Sequence, residues 1–207
     1  MTQRKYAKGV ARTEAILEVA LRAVAEKGYS RATIREIADE ADLSKTGLLH
    51  HFGTKEALFA EILRRRDVVD EARLNETRQT GTPARLADLP RVGANDPGLV
   101  QLYTRFSAEA SDPEHAAHAF FVERFERSRQ RMSEVLRGFQ KTGQLPNNLD
   151  ADLLATALVA LLDGLQLQWL YDEHIDMPAV FTSLLAAIGL NDHAAATSSE
   201  QSGEHST

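Results

Sequence analysis

Lys45 and Thr46 stand side by side ahead of Gly47, and two histidines, His50 and His51, follow before the next lysine, Lys55. A lysine ammonium can donate to guanine O6 and N7, and a threonine offers a base edge both a hydroxyl and a methyl. Gly47 leaves room for close backbone approach, and the two imidazoles can donate to DNA oxygens. Lys55, at a helix start, would meet a phosphate as a point charge. Any one of these residues alone reads as solvated surface; together, on one short helix, they imply nucleic-acid recognition.

Local signals say how such residues would be held. Thr33 and Glu36 form a capping box that starts a helix. Ile34, Ile37, Ala38 and Ala41 recur at helical spacing and bury one face, leaving Arg35, Glu36, Asp39 and Glu40 towards water. Asp42 tolerates the left-handed conformation of a sharp turn, and Leu43 is an apolar plug that sets the angle between two helices. Ser44 caps the next helix, in which Leu48 and Phe52 face inward. Lys45, Thr46, Gly47, Leu49, His50 and His51 are left around its exposed sides. Gly53 ends that helix and Thr54 caps the following one.

The stretch from Thr33 to Leu58 resembles the DNA-binding domain of the TetR family of bacterial transcriptional regulators, whose wording is close to T-x-x-x-I-A-x-x-A-G-V-S-x-G-T-L-Y-x-Y-F-x-x-K-x-x-L. Thr33, Ile37, Ala38, Ala41, Ser44, Leu48, Phe52, Lys55 and Leu58 carry the match, which extends over roughly the first sixty residues. Asp42 replaces the usual turn glycine, Thr46-Gly47 reverses the usual Gly-Thr, and Leu49 and His51 stand where two tyrosines are common. A tyrosine hydroxyl often holds a phosphate in this family, and Leu49 has none. The resemblance also implies that Arg35 touches a base. The candidate DNA-binding set is thus Thr33, Arg35, Ser44, Lys45, Thr46, Gly47, Leu49, His50, His51 and Lys55.

Composition bounds the rest. The 207 residues include no cysteine, which removes disulfides and thiolate metal sites and suits a reducing cytoplasm. The first residues lack an apolar leader core, and no run approaches ~20 uninterrupted apolar residues, so secretion and membrane spanning are both disfavoured. The net charge of −6 is uneven. Residues 1–80 carry 15 Lys and Arg against 13 Asp and Glu, a net +2, and residues 81–207 carry 9 against 17, a net −8. Arg4, Lys5, Lys8 and Arg12 make residues 1–12 a basic arm that could reach phosphates or a minor groove. An acidic remainder resists clinging to nucleic acid elsewhere.

In order, the chain reads as all-α. A first helix runs from about Val10 to Lys27 and, with the two short helices, gives a three-helix DNA-binding domain over residues 10–55. A connecting helix over 54–80 follows; by the resemblance it transmits ligand-driven motion. Its Arg64-Arg65-Arg66 run reads first as a solvated face. Residues 81–190 form a helical ligand-binding and dimerisation domain, with helices expected from Pro83 to Gly93, Pro97 to about Ser111, Pro113 to about Thr142, Asp150 to about Tyr171 and Pro178 to Ile188. Residues 191–207 have too little apolar surface to fold. The helix after Asp150 has apolar residues on more than one stripe and must be buried on two sides. Either the core of a monomer surrounds it, or Leu154, Leu158, Leu161 and Leu162 join Phe181, Leu184, Leu185 and Ile188 in a two-fold four-helix bundle. The resemblance, to a family that dimerises through its last two helices, favours the homodimer.

That resemblance also implies an effector pocket among the middle helices, with Tyr103, Phe106, Phe120, Phe121, Phe125, Gln166 and Trp169 as candidates to line it, though aromatic residues at helical spacing are first of all core. The run from Gly143 to Leu170 resembles the C-terminal domains near the choline-responsive betaine regulators without identifying choline as the effector. His115-x-x-His118, with Asp112, Glu114 and Glu123 nearby, has ligand spacing but reads as solvated surface beside a helix cap, so no metal or other cofactor is expected. Catalysis is disfavoured: no cysteine nucleophile, nucleophile elbow or glycine-rich phosphate loop is present. The expectation is a homodimeric repressor that leaves a palindromic double-stranded operator when a small-molecule effector binds. An activator, a ligand-independent DNA-binding protein and a helical enzyme with an appended reader are the alternatives.

Overall fold

The computed structural model describes residues 2–27, 34–90 and 97–190, and for residues 2–11, 25, 27 and 69 the backbone alone. Thr33 with its capping box, Gly28, Asp96 and the tail 191–207 lie outside the described residues. The described residues are helical, with no strand among them. The helices are α1 Thr2–Lys27, α2 Ile34–Glu40, α3 Lys45–Phe52, α4 Lys55–Thr80, α5 Ala84–Ala87, α6 Pro97–Glu109, α7 His118–Lys141, α8 Ala151–Trp169 and α9 Met177–Ala187.

Three of these depart from the sequence expectation. α1 begins at Thr2 and not near Val10. The stretch 2–12 has no proline, and Gly9, at a cost of about 1 kcal/mol, does not stop a helix that continues into a buried face. The basic segment is therefore the start of α1 and not a separate arm. α5 is a single turn, with Pro83 at its N-cap and no side-chain cap bond, so Thr82 does not start the helix expected there. α7 begins at His118 and not at Pro113. Asp112 Oδ1 accepts from the Glu114 N–H at 2.9 Å, His115 Nδ1 accepts from the Ala117 N–H at 3.1 Å, and His118 Nδ1 lies 2.9 Å from the Ala110 carbonyl. These side-chain bonds offer the backbone an alternative to the helical ladder. α8 keeps its expected bounds to within two residues and is, by length and composition, long and apolar enough to cross a membrane. Asp152, Asp163, Gln166 and Gln168 interrupt it, and within the single chain only part of it is buried.

Contacts divide the chain into two compact units, and the division is not at residue 81. Unit one holds residues 1–68 and 95–123; unit two holds 69–94 and 124–207. In unit one α1 packs against both α2 and α6. Ile16, Ala20 and Val24 of α1, Ile37 of α2, Leu48 of α3 and Leu58 of α4 are fully or almost fully buried. Phe106 of α6 meets Phe59 of α4 edge-on at 6.1 Å and Phe121 of α7 at 5.5 Å.

In unit two α9 packs against α5 and α8. Asp150 caps α8 by accepting from the Asp152 and Leu153 N–H groups, and Asp176 caps α9 by accepting from Ala179 N–H. Asp152 is in turn gripped by the Ser133 hydroxyl at 2.5 Å and Arg137 Nη2 at 2.6 Å, both from α7. Arg131 pairs with Glu71, and Arg78 with Glu134 at 3.3 Å, tying α4 to α7.

The faces of α8 and α9 correct the expected interface. Leu158 and Phe181 are 0% exposed and Leu185 is 2% exposed within a single chain, so these three belong to the core of unit two and have no surface to give a second copy. Leu154, Leu161, Leu162, Leu184 and Ile188 are half-buried. The open apolar positions are Leu153, Leu167 and Tyr171 on α8 and the turn after it, and Val180 on α9. Helical period marks both faces of such a helix as apolar; which one its own unit takes depends on where α9 and α7 lie.

Candidate nucleic-acid interface

The turn between α2 and α3 is built from backbone. Ala41 N–H donates to Ile37 O at 3.0 Å, Leu43 N–H to Ala38 O at 2.8 Å and Asp42 N–H to Asp39 O at 3.2 Å, a Schellman arrangement. It needs a left-handed residue, and Asp42 supplies it at φ 54°, as the sequence suggested. A β-branched side chain there is costlier: Asp42→Val is expected to destabilise the fold by about 1–2 kcal/mol and Asp42→Gly to leave it equal or stabler. Urea denaturation of the two variants checks this, and equal midpoints would show that the turn does not require that conformation.

Ser44 caps α3 through its hydroxyl oxygen, which accepts from Gly47 N–H at 3.0 Å. Gly47 therefore has a role the sequence did not show. A Cβ there would stand 3.2 Å from Ser44 Oγ, crowding the cap from inside the chain whatever DNA does outside. Leu48 is buried, Phe52 and Leu49 are half-buried, and Lys45, Thr46, His50 and His51 are exposed. The two imidazoles sit 6.4 Å apart, edge to face. Gly53, at φ 80°, closes α3, and Thr54 Oγ1 accepts from Ala57 N–H at 3.0 Å to open α4. Lys55 is the first residue of α4, half-buried, with Nζ 5.1 Å from the Phe59 ring centre. Arg35 is exposed on α2.

The result is one short helix, capped at both ends, whose first turn presents Lys45 and Thr46 to solvent beside the N-terminus of α4. Such a turn can enter a major groove while the α4 end meets the sugar-phosphate backbone.

Residues 16–62 match the model of bacterial regulatory proteins, tetR family, and residues 86–189, about half of the chain, match that of the BetI-type transcriptional repressor C-terminal domain. The chain belongs to the TetR family. It is a DNA-binding transcriptional regulator. Among relatives of this TetR-family chain, the "Probable acrEF/envCD operon repressor" of Escherichia coli strain K12 is 27% identical over 205 residues, covering 89% of this chain and 90% of the relative. A solved transcriptional regulator from Saccharomonospora viridis in complex with choline is 26% identical, covers 84% of this chain and 95% of that one, and superposes with a TM-score of 0.68. Bacillus subtilis FadR in complex with stearoyl-CoA, at 18% identity, shares the fold with a TM-score of 0.69 over 85% of this chain and 97% of its own.

The seven pocket candidates fall into two groups. Tyr103, Phe106, Phe120 and Phe121 are buried in unit one, ring against ring, with Phe120 and Phe121 centred 5.0 Å apart and Tyr103 6.1 Å from Phe121. Arg64 lies 4.8 Å from the Phe120 ring centre, so one member of the triple-arginine run is engaged there. Phe125, Gln166 and Trp169 belong to unit two, where Trp169 is buried and Gln166 Nε2 donates to Leu162 O at 3.4 Å.

Proposed function

We propose that this regulator is a repressor that acts in the cytoplasm as a homodimer on a palindromic operator and is released by a small molecule bound in its C-terminal helical domain. The observation that carries the DNA half is the exposed first turn of α3, held by Ser44 and Asp42 with Lys45 and Thr46 outward. Lys45 and Thr46 read base edges, and Lys55 anchors a phosphate. The dimer reading rests on α8 and the turn after it, where Leu153, Ala157, Ala160, Gly164, Leu167 and Tyr171 recur at alternating steps of four and three. Leu153 is 71% exposed and Tyr171 86%, apolar surface on that scale being unusual on a helix with no partner. Val180 of α9 is exposed as well. Small residues at the middle of the α8 row let a second α8 approach closely, and a two-fold pair of α8 and α9 closes a four-helix bundle.

Control by a small molecule is supported by the choline-bound relative. Ligand shifts the population towards a dimer whose α3 helices no longer match half-sites about 34–36 Å apart, or a multiple of that. The test uses the DNA flanking the gene: purified protein should lower transcription from it in vitro, and a panel of small molecules that includes choline should contain one that restores transcription and is recovered unchanged. A rise in transcription on adding protein overturns repression. Turnover of the active compound would show an enzyme instead.

A further inference from the structure

Arg12 stands on α1, yet its Nη2 donates to the Ala41 carbonyl in the helix-turn-helix at 3.3 Å. The last carbonyls of a helix have no partner inside it. At the end of α2, those of Ile37, Ala38 and Asp39 receive the N–H groups of Ala41, Leu43 and Asp42. The Ala41 carbonyl receives Arg12, which also sets a positive charge at the negative end of the α2 dipole. α1 is held a second time close by, where Arg65 of α4 donates from Nη1 to the Glu14 carbonyl at 3.4 Å. The strut that carries Arg12 is thus fixed to α4, and the turn is fixed to the strut. Ser44 caps α3 just beyond Ala41, so any movement at Ala41 is passed to the turn bearing Lys45 and Thr46.

We propose that Arg12 is a positioning residue for DNA reading: by holding the Ala41 carbonyl it sets the angle at which α3 leaves the turn, and it does not serve as a phosphate anchor. This rests on α3 being the base reader. The sequence placed Arg12 with Arg4, Lys5 and Lys8 among groups that reach DNA; the structure gives it an acceptor inside the chain. A positioned reader discriminates among sequences, whereas a phosphate contact strengthens binding to all of them.

The two roles separate in a titration of Arg12→Ala against two duplexes, one enriched by the wild-type protein from a randomised pool and one of the same composition in scrambled order. Affinity for the enriched duplex should fall by up to about tenfold, because the variant must restore on binding the turn geometry that the bond holds in advance, and that bond's own worth bounds the loss. Affinity for the scrambled duplex, and the slope of log affinity against log salt, should not change. The ratio of the two affinities does not depend on the fraction of folded protein, so a loss of stability alone cannot imitate the result. Equal weakening of both duplexes with a slope shallower by ~1 would make Arg12 a phosphate anchor and overturn the proposal. Wild-type behaviour on both would overturn it too. Lys45→Ala and Thr46→Ala, run alongside, separate this claim from the reading beneath it: unchanged sequence preference in both variants removes α3 as the base reader, whatever Arg12→Ala does.

Discussion

Gly164→Glu is expected to halve the particle mass, from twice 22.9 kDa to 22.9 kDa, without unfolding the chain. A Cβ at Gly164 meets nothing within 4 Å in the single chain, so a side chain there enters open space. Replacing a mid-helix glycine also raises helix propensity. An isolated monomer should therefore be no less stable than before. In the dimer the same carboxylate would lie unpaired between two apolar helices, a cost of several kcal/mol. Loss of the second reader then removes the avidity of a linked pair, and affinity for the palindrome should fall by about 10²- to 10⁴-fold. Ala160→Glu, also on the exposed row, should behave alike. Leu158→Glu is the contrast: that side chain is 0% exposed within its own unit, so the charge would unfold the protein. Sedimentation gives the mass and circular dichroism the fold. A Gly164→Glu protein that stays at twice the chain mass and binds its operator as before would place the interface elsewhere.

That contrast shows where the sequence was legible. The helix-turn-helix could be read because its determinants are local: Asp42 in a left-handed turn, Ser44 and Thr54 as caps, and Gly53 as a stop are each settled by residues within a few positions. The caps at Asp150 and Asp176 were legible for the same reason. Where a competing bond comes from a nearby side chain, local rules lose force, as at Pro113, beyond which Asp112 and His115 hold the backbone out of α7. Where the partner is distant they say nothing: Arg12 and Ala41 are 29 residues apart, and no spacing rule joins them. α8 is the intermediate case. Its period showed two apolar faces, but the choice of Leu158 for the core and Leu153 for the surface follows from tertiary packing.

Lys45→Ala and Lys55→Ala are expected to weaken DNA binding in different ways. Lys45 is exposed on the first turn of α3, next to the Ser44 cap. A lysine there that reaches a guanine contributes discrimination at one position, about 1–3 kcal/mol, and its removal should level the preference at that base while leaving the salt slope nearly intact. Lys55 is the first residue of α4, at the positive end of the helix dipole, which favours a phosphate. Its loss should weaken every sequence alike and flatten the salt slope by ~1. Lys55 also packs on Phe59, so the alanine variant should lose a little stability, about 0.5–1 kcal/mol. Lys55→Arg keeps both the charge and the ring contact and should restore stability and slope together. Titrations of single-base variants of the enriched duplex at several salt concentrations resolve all three proteins. If Lys45→Ala lowers affinity evenly across those variants, Lys45 touches backbone and not a base, and base reading must move to Thr46 or to Arg35 on α2.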